Sequence, residues 1–96
     1  MRVLWTDAAL GQLEAIRDYH ERTSPEYGRR IVERLVNRSE QIMAFPHAGR
    51  MVPEYEIDEV RQVLESSYRI IYLVKEEQVE VLAIIHTTRR GLPQEE

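Results

Sequence analysis

The sequence contains no cysteine. This absence excludes disulfides, thiolate metal ligands and a cysteine nucleophile. It suits a reducing cytoplasm, which is the location we predict. The chain also lacks an apolar run of membrane length, and its first residues, MRVLW, lead directly into a polar segment rather than a secretory signal. We therefore predict no membrane partner.

The chain lacks the excess of positive charge that is typical of nucleic-acid-binding proteins. Its 17 acidic residues outnumber 13 basic ones, so the formal net charge is −4. Because neutralisation of phosphates drives most nucleic-acid binding, any such role must depend on a local patch of cations. A glycine-rich phosphate loop and a G-x-S-x-G motif are absent, and no two histidines have metal-site spacing. We predict no metal and no cofactor.

The composition fits one globular domain spanning residues 1–96, since 43% of the residues are hydrophobic and 31% are charged. The stretch RVLW, Arg2 to Trp5, predicts an N-terminal strand. Thr6 then suits a helix N-cap, and apolar residues at helical spacing predict a first helix from about Asp7 to Glu21. Ser24 and Pro25 begin a second helix, which we expect to end near Ala44, before FPHAGR.

Beyond Met51 the period of the apolar residues changes from 3.6 to about 2. This change predicts strands at VRQVLE, YRIIYLV and VEVLAIIH. The order strand, helix, helix, strand, strand, strand predicts an α+β fold. It combines an N-terminal strand, a two-helix hairpin and a three-stranded antiparallel meander. The helices cover one face of the sheet, and the other face is left partly open.

The last two strands are predicted to form a hairpin whose turn centres on Glu76 and Glu77. Three facing pairs follow from this turn: Val74 with Val79, Tyr72 with Val81, and Arg69 with Ile84. Arg69 and His86 would then share one face as diagonal neighbours. A slip of one residue would place them on opposite faces, so this expectation depends on the register.

Arg69 lies inside an apolar strand, where its five N–H donors need a carboxylate, a phosphate or water. One interpretation is a functional cation. The other is a structural ion pair, with Glu65 or Glu80 as the partner.

The second cluster of cations follows the last strand, where His86 precedes Arg89 and Arg90. An imidazole can act as a general acid or base near neutral pH, and neighbouring arginines can clamp a phosphate. The alternative is a strand end with solvated cations. His20 and His47 lie near helix ends and suggest no metal site.

The stretch GRRIVERLVNR places four arginines on the second helix: Arg29, Arg30, Arg34 and Arg38. We interpret them as a solvated face whose charge is partly offset by Glu33. Tyr68 and Tyr72 have the spacing of core residues.

Taken in order, four segments resemble the RelE/ParE superfamily of type II toxin–antitoxin toxins, which includes ParE-like plasmid-stabilisation proteins. They are WTDAALGQLEAIRDYH, FPHAGRMVPE with its P-x-x-G-R turn, VRQVLESSYRIIYLV and VEVLAIIHTTRR, and they cover nearly all of the chain. The resemblance implies the same α+β fold. It also implies a cognate antitoxin that wraps over the toxin in a toxin–antitoxin hetero-oligomer.

The resemblance implies one of two targets, DNA gyrase or the ribosome with its mRNA. ParE-like members inhibit gyrase, whereas RelE-like members cut mRNA through the 2′-hydroxyl, which needs a base, an acid and cations. For such an endoribonuclease the implied catalytic residues are Arg69, His86 and Arg89. The lysine-rich strand of that branch is replaced here by VRQVLE, which offers only Arg61.

The missing lysines and the acidic net charge favour a ParE-like gyrase inhibitor. The alternatives are a RelE-like mRNA endoribonuclease and a non-toxic member that binds only its antitoxin. Four arginines are candidates for target or antitoxin binding: Arg50, Arg61, Arg69 and Arg90. For Arg50 the alternative is a structural role, in which it ties its turn to Glu54 or to a sheet carbonyl.

Overall fold

Two helices pack against one face of a sheet in the computed structural model, which describes residues 1–88. In chain order the elements are β1 (Arg2–Trp5), α1 (Asp7–Glu21), α2 (Pro25–Gln41), β2 (Arg50–Met51), β3 (Val60–Glu65), β4 (Tyr68–Val74) and β5 (Gln78–His86). Two 3₁₀ turns, Ile42–Ala44 and Pro46–Ala48, connect α2 to β2. The α+β fold predicted from the sequence is confirmed.

The strand order across the sheet is β1-β5-β4-β3-β2. The pairs β3–β4 and β4–β5 form the predicted antiparallel meander, and β1 joins β5 in parallel. The sheet gains β2, which we did not predict, through the pairing of Arg50 with Gln62 and of Met51 with Arg61. A strand of two residues is too short to show an alternating pattern in the sequence.

The first helix has the bounds predicted from its capping residue and apolar stripe. The Thr6 hydroxyl accepts a hydrogen bond from the backbone N–H of Ala9 at 3.1 Å, so it caps α1. The same hydroxyl donates to the carbonyl of Val81 at 3.1 Å. Thr6 therefore begins the helix and also fastens that beginning to β5.

The second helix begins as predicted, with Ser24 as its N-cap and Pro25 in the first position. It ends at Gln41 rather than near Ala44, because the last turn tightens into 3₁₀ geometry. Neither helix of residues 1–88 is both long and apolar enough to cross a membrane.

Side chains on both faces of the sheet are buried. The main core lies between the sheet and the helices and includes Leu35, Ile70 and Tyr72. A second cluster lies on the other face, where Val52 packs near Ile71. Residues 52–59 therefore cover part of the face that we expected to be open.

A β-bulge changes the register of the β4–β5 hairpin partway along. Two predicted pairs are confirmed, Val74 with Val79 and Tyr72 with Val81. Beyond them Leu82 is an extra residue in β5. Arg69 consequently pairs with Ile85, one residue later than predicted, and His86 pairs with Tyr68. The expectation that Arg69 and His86 share a face is therefore wrong, because the extra residue reverses the facing of the end of β5.

Candidate functional site

Arg69 points away from the helices into a polar pocket on the other face of the sheet. Its side chain is 10% exposed. Its Nε donates to Gln62 Oε1 at 2.7 Å, and its two terminal nitrogens donate to the two Glu54 carboxylate oxygens at 3.2 and 3.1 Å. The structure thus contains the structural ion pair that we considered, but Glu54 is the partner instead of Glu65 or Glu80.

The geometry of this ion pair is bidentate, the arrangement in which guanidinium and carboxylate interact most strongly. Hydrogen bonding from Arg69 lowers the pKa of Glu54 below its ordinary value, although burial of the carboxylate acts in the opposite direction. Glu54 is therefore ionised at neutral pH, and it neutralises the arginine.

Arg61 is also held within the structure. Its Nη2 lies 2.7 Å from the Asp58 carboxylate, and its Nε donates to the carbonyl of the same residue at 2.7 Å. Its Nη1 donates to the carbonyls of His47 and Gly49, each at 3.1 Å. Arg61 therefore joins β3 to the second 3₁₀ turn, and its side chain is largely buried.

Of the remaining predicted arginines, only Arg50 lies within residues 1–88. Arg50 lies on the edge strand β2 and is exposed. Its proposed structural partner, Glu54, binds Arg69 instead. Arg89 and Arg90 lie outside the described residues.

His86 lies on the helix side of the sheet, at the end of β5. Its Nδ1 accepts a hydrogen bond from the backbone N–H of Thr88 at 3.2 Å and lies 2.8 Å from the Thr88 hydroxyl. Because a backbone amide can only donate, Nδ1 is the acceptor in this contact.

Tyr68 brings His86 near a second imidazole, that of His20, and the sequence did not predict this proximity. His20 Nε2 lies 2.9 Å from the Tyr68 hydroxyl, and the His86 ring meets the Tyr68 ring edge-on at 5.3 Å between centroids. Burial raises the pKa of Tyr68. Tyr27 lies edge-on to His20 at 5.0 Å. We name this group the imidazole cleft, defined by His20, Tyr27, Tyr68 and His86.

The imidazole cleft encloses about 150 Å³, and Ser66 and Ser67 are among its lining residues. Its one signal in the sequence is the position of His20 on the apolar stripe of the first helix, in line with Ile16. The side chains of the cleft offer proton donors and acceptors, and no arginine of residues 1–88 lines it. Nor do residues 1–88 contain a group of three or more His, Cys, Asp or Glu side chains that could hold a metal ion.

The P-x-x-G-R turn brings backbone close to a buried tyrosine. The Tyr72 hydroxyl donates to the Pro46 carbonyl at 2.7 Å. A Cβ atom at Gly49 would collide with that hydroxyl and would lie 2.8 Å from the Gln62 carbonyl oxygen. The φ of −65° at Gly49 is open to any residue, so the backbone conformation does not require glycine. The close approach of the Tyr72 hydroxyl does.

Comparisons with known proteins agree with this architecture. A family model described as "ParE toxin of type II toxin-antitoxin system, parDE" matches residues 3–91. Toxin RelE2 of Caulobacter vibrioides is 33% identical over 88 residues, which cover 92% of this chain and 97% of that protein.

Two solved structures have a similar fold. The chain described as "Chromosomal ParDE TA system from P. aeruginosa" has a TM-score of 0.74 at 24% identity, over 90% of this chain and 95% of that chain. The "YoeB/ParE toxin from Agrobacterium tumefaciens" has a TM-score of 0.63 at 18% identity, over 90% and 98% of the two chains. At these identities the likeness concerns the fold.

Proposed function

The chain belongs to the ParE toxin family of type II toxin–antitoxin systems, and from this premise we propose that it arrests growth by inhibiting DNA gyrase without cutting RNA. As a type II toxin it has a cognate antitoxin as its partner. The geometry of the site bears on whether the target is gyrase or the ribosome.

The observation that carries this choice is the separation of Arg69 from His86. Cleavage of RNA through the 2′-hydroxyl needs a base, an acid and cations gathered around one phosphate. Here the guanidinium of Arg69 lies on one face of the sheet, bound to Glu54, while His86 lies on the other face beside Tyr68. This arrangement supports a toxin that acts by binding rather than by hydrolysis.

The ion pairing of the two arginines also supports gyrase inhibition over RNA cleavage. Arg69 is neutralised by Glu54, and Arg61 is paired with Asp58 and bound to backbone carbonyls. To stabilise a phosphate in a transition state, either arginine would first have to leave its carboxylate. We therefore assign Arg69 and Arg61 structural roles, and we place target recognition on exposed surface elsewhere.

The test measures supercoiling of relaxed plasmid DNA by purified gyrase as the purified protein is titrated to saturation. Inhibition is the expected result. His86→Ala should inhibit equally, because inhibition by binding needs no general acid or base. The double variant Arg69→Met with Glu54→Leu should also inhibit, since it removes the cation and its counter-charge together and spares the fold.

Unchanged supercoiling at saturating protein would overturn the proposal. If translating ribosomes instead yield cut mRNA with the parent protein and intact mRNA with His86→Ala, the protein is a RelE-like endoribonuclease. No effect in either assay would identify a non-toxic member of the family that only binds its antitoxin.

A further inference from the structure

One side of α2 carries a regular row of arginines. Arg30, Arg34 and Arg38 follow one another at intervals of four residues. On an α-helix each interval rises about 6 Å and turns about 40°, so the three side chains form a slowly winding row. Arg30 and Arg34 are exposed and Arg38 is half-buried. We name these three residues the arginine row.

No ion pair within residues 1–88 neutralises the arginine row. The ion pairs within residues 1–88 use Arg17, Arg61, Arg69 and Lys75, and none includes a member of the row. Glu33, which we expected to offset the charge, lies about 60° from Arg30 around an ideal helix, on the side away from Arg34. Glu26, in the first turn of α2, lies four residues before Arg30 and is therefore its neighbour on the same side of the helix.

α2 lies against β3, and each end of the row is close to a shallow cavity that contains aromatic rings. At its beginning lies the imidazole cleft, to which α2 contributes Tyr27. At its end lies a cavity of about 140 Å³ whose lining includes Arg38, Gln41, Phe45 and Tyr72. Phe45 is 75% exposed, more than any other large apolar residue among residues 1–88. A ring so placed is available to a ligand at no cost in core packing.

We propose that the arginine row and the two aromatic cavities bind a single strand of nucleic acid. In this arrangement three successive phosphates contact Arg30, Arg34 and Arg38, and an unpaired base lies against Phe45. Basic grooves with aromatic side chains are the common means of binding single strands, because phosphates are matched by cations and every base can stack. The proposal concerns binding alone and goes beyond inhibition of gyrase.

Two features favour a single strand over other polyanions. The carboxylates of an acidic protein segment would pair with the arginines, but they offer no flat surface to stack on the exposed phenyl ring. Duplex nucleic acid offers the same phosphates, but its bases are stacked and paired and cannot lie against Phe45. The overall net charge of −4 restricts the attraction to this side of the molecule.

The first experiment measures the fluorescence anisotropy of labelled oligonucleotides of about 12 nucleotides as the free protein is added. DNA and RNA strands of the same mixed sequence are compared. The strand that binds more tightly identifies the ligand as DNA or as RNA. Three phosphate contacts predict a slope of about −2 for log K against log salt. The affinity should therefore fall about 20-fold between about 50 and about 200 mM salt.

The matched variants change three arginines to glutamine each. Replacing Arg30, Arg34 and Arg38 should bring the salt slope close to zero and reduce the low-salt affinity at least about 20-fold. The control replaces Arg2, Arg17 and Arg29, which lie outside the row. It makes the same change in net charge and should leave the slope near the parent value. Circular dichroism of both variants verifies that the substitutions leave the fold unchanged.

A second pair of variants tests the ring. Phe45→Ala should weaken single-strand binding about fivefold or more, whereas Phe45→Tyr retains a stacking surface and should bind within about twofold of the parent. Neither change alters the charge, so the salt slope should stay the same in both.

Several results would overturn the proposal. They are a row variant that binds as well as its matched control, duplex DNA that binds more tightly than either single strand, and polyglutamate that binds more tightly than the oligonucleotides. The last of these would identify an acidic protein segment as the ligand. Because gyrase is absent from these assays, failure of the strand-binding proposal would leave the gyrase proposal standing, and the converse also holds.

Discussion

Replacing Glu54 with alanine leaves the Arg69 guanidinium enclosed on the sheet without a carboxylate. In the parent protein two of the three hydrogen bonds that Arg69 makes go to Glu54, and the third goes to Gln62. The side chains of the pair are only 10% and 13% exposed, so little water can replace the lost carboxylate. The variant therefore has to solvate a nearly buried cation by local rearrangement.

The expected loss of stability follows from this burial. Removing one partner of a fully buried ion pair costs about 3–5 kcal/mol, because the other charge is left uncompensated. Residual contact of the pair with water reduces this to about 2–3 kcal/mol for Glu54→Ala. For a domain of this length, that change corresponds to a fall of about 10–20 °C in the melting temperature.

Thermal unfolding followed by circular dichroism measures this change. Asp18→Ala is the matched control, since it breaks an exposed ion pair with Arg17 and should cost less than about 0.5 kcal/mol. The double variant Glu54→Leu with Arg69→Met should come within about 1 kcal/mol of the parent, because no charge is left buried. Equal melting temperatures for Glu54→Ala and Asp18→Ala would refute the closed ion pair and, with it, the structural role of Arg69.

The same pair predicts a dependence of stability on pH. Because Arg69 lowers the pKa of Glu54 in the folded protein, the ionised carboxylate stabilises the fold at pH values above its ordinary pKa of 4.5. This contribution is lost as the pH falls through the lower pKa of the folded state. Glu54→Gln should therefore be less stable than the parent at neutral pH, and the difference should shrink below about pH 4.5.

Two further predictions concern the tyrosines and the turn beside them. Gly49→Ala should destabilise the protein by about 2 kcal/mol or more in urea unfolding, because its Cβ would collide with the Tyr72 hydroxyl. Gly11→Ala is the control, since it has open space within α1 and should stabilise by about 0.5–1 kcal/mol. Burial raises the pKa values of Tyr68 and Tyr72, so two of the five tyrosines should ionise late in an ultraviolet titration. A titration of Tyr72→Phe that retains both late transitions would contradict this assignment.

The features that the sequence predicted well are those set by neighbouring residues. The bounds of α1 follow from Thr6, whose hydroxyl caps the helix, and from apolar residues repeating at helical spacing. The beginning of α2 follows from Ser24 and Pro25 in the same way. Each signal acts within a single turn of helix, so it can be read without knowledge of the rest of the fold.

The features that escaped prediction depend on distant parts of the chain. The bulge at Leu82 leaves no mark in an apolar run where both neighbours are also hydrophobic, yet it decides the facing of His86. Glu54 lies in a segment without regular structure, 15 residues before Arg69, and only the path of that segment across the sheet brings them together. The imidazole cleft likewise requires α1 and β4 to be packed before its members become neighbours.

The most direct test of gyrase inhibition is induced expression in a bacterial host while growth, DNA content and protein synthesis are followed together. If the protein inhibits gyrase, growth stops with filamentation and a DNA damage response while translation continues. His86→Ala should produce the same response. Immediate arrest of translation with cleaved messages, abolished by His86→Ala, would rule out gyrase as the target and make the end of β5 a catalytic site.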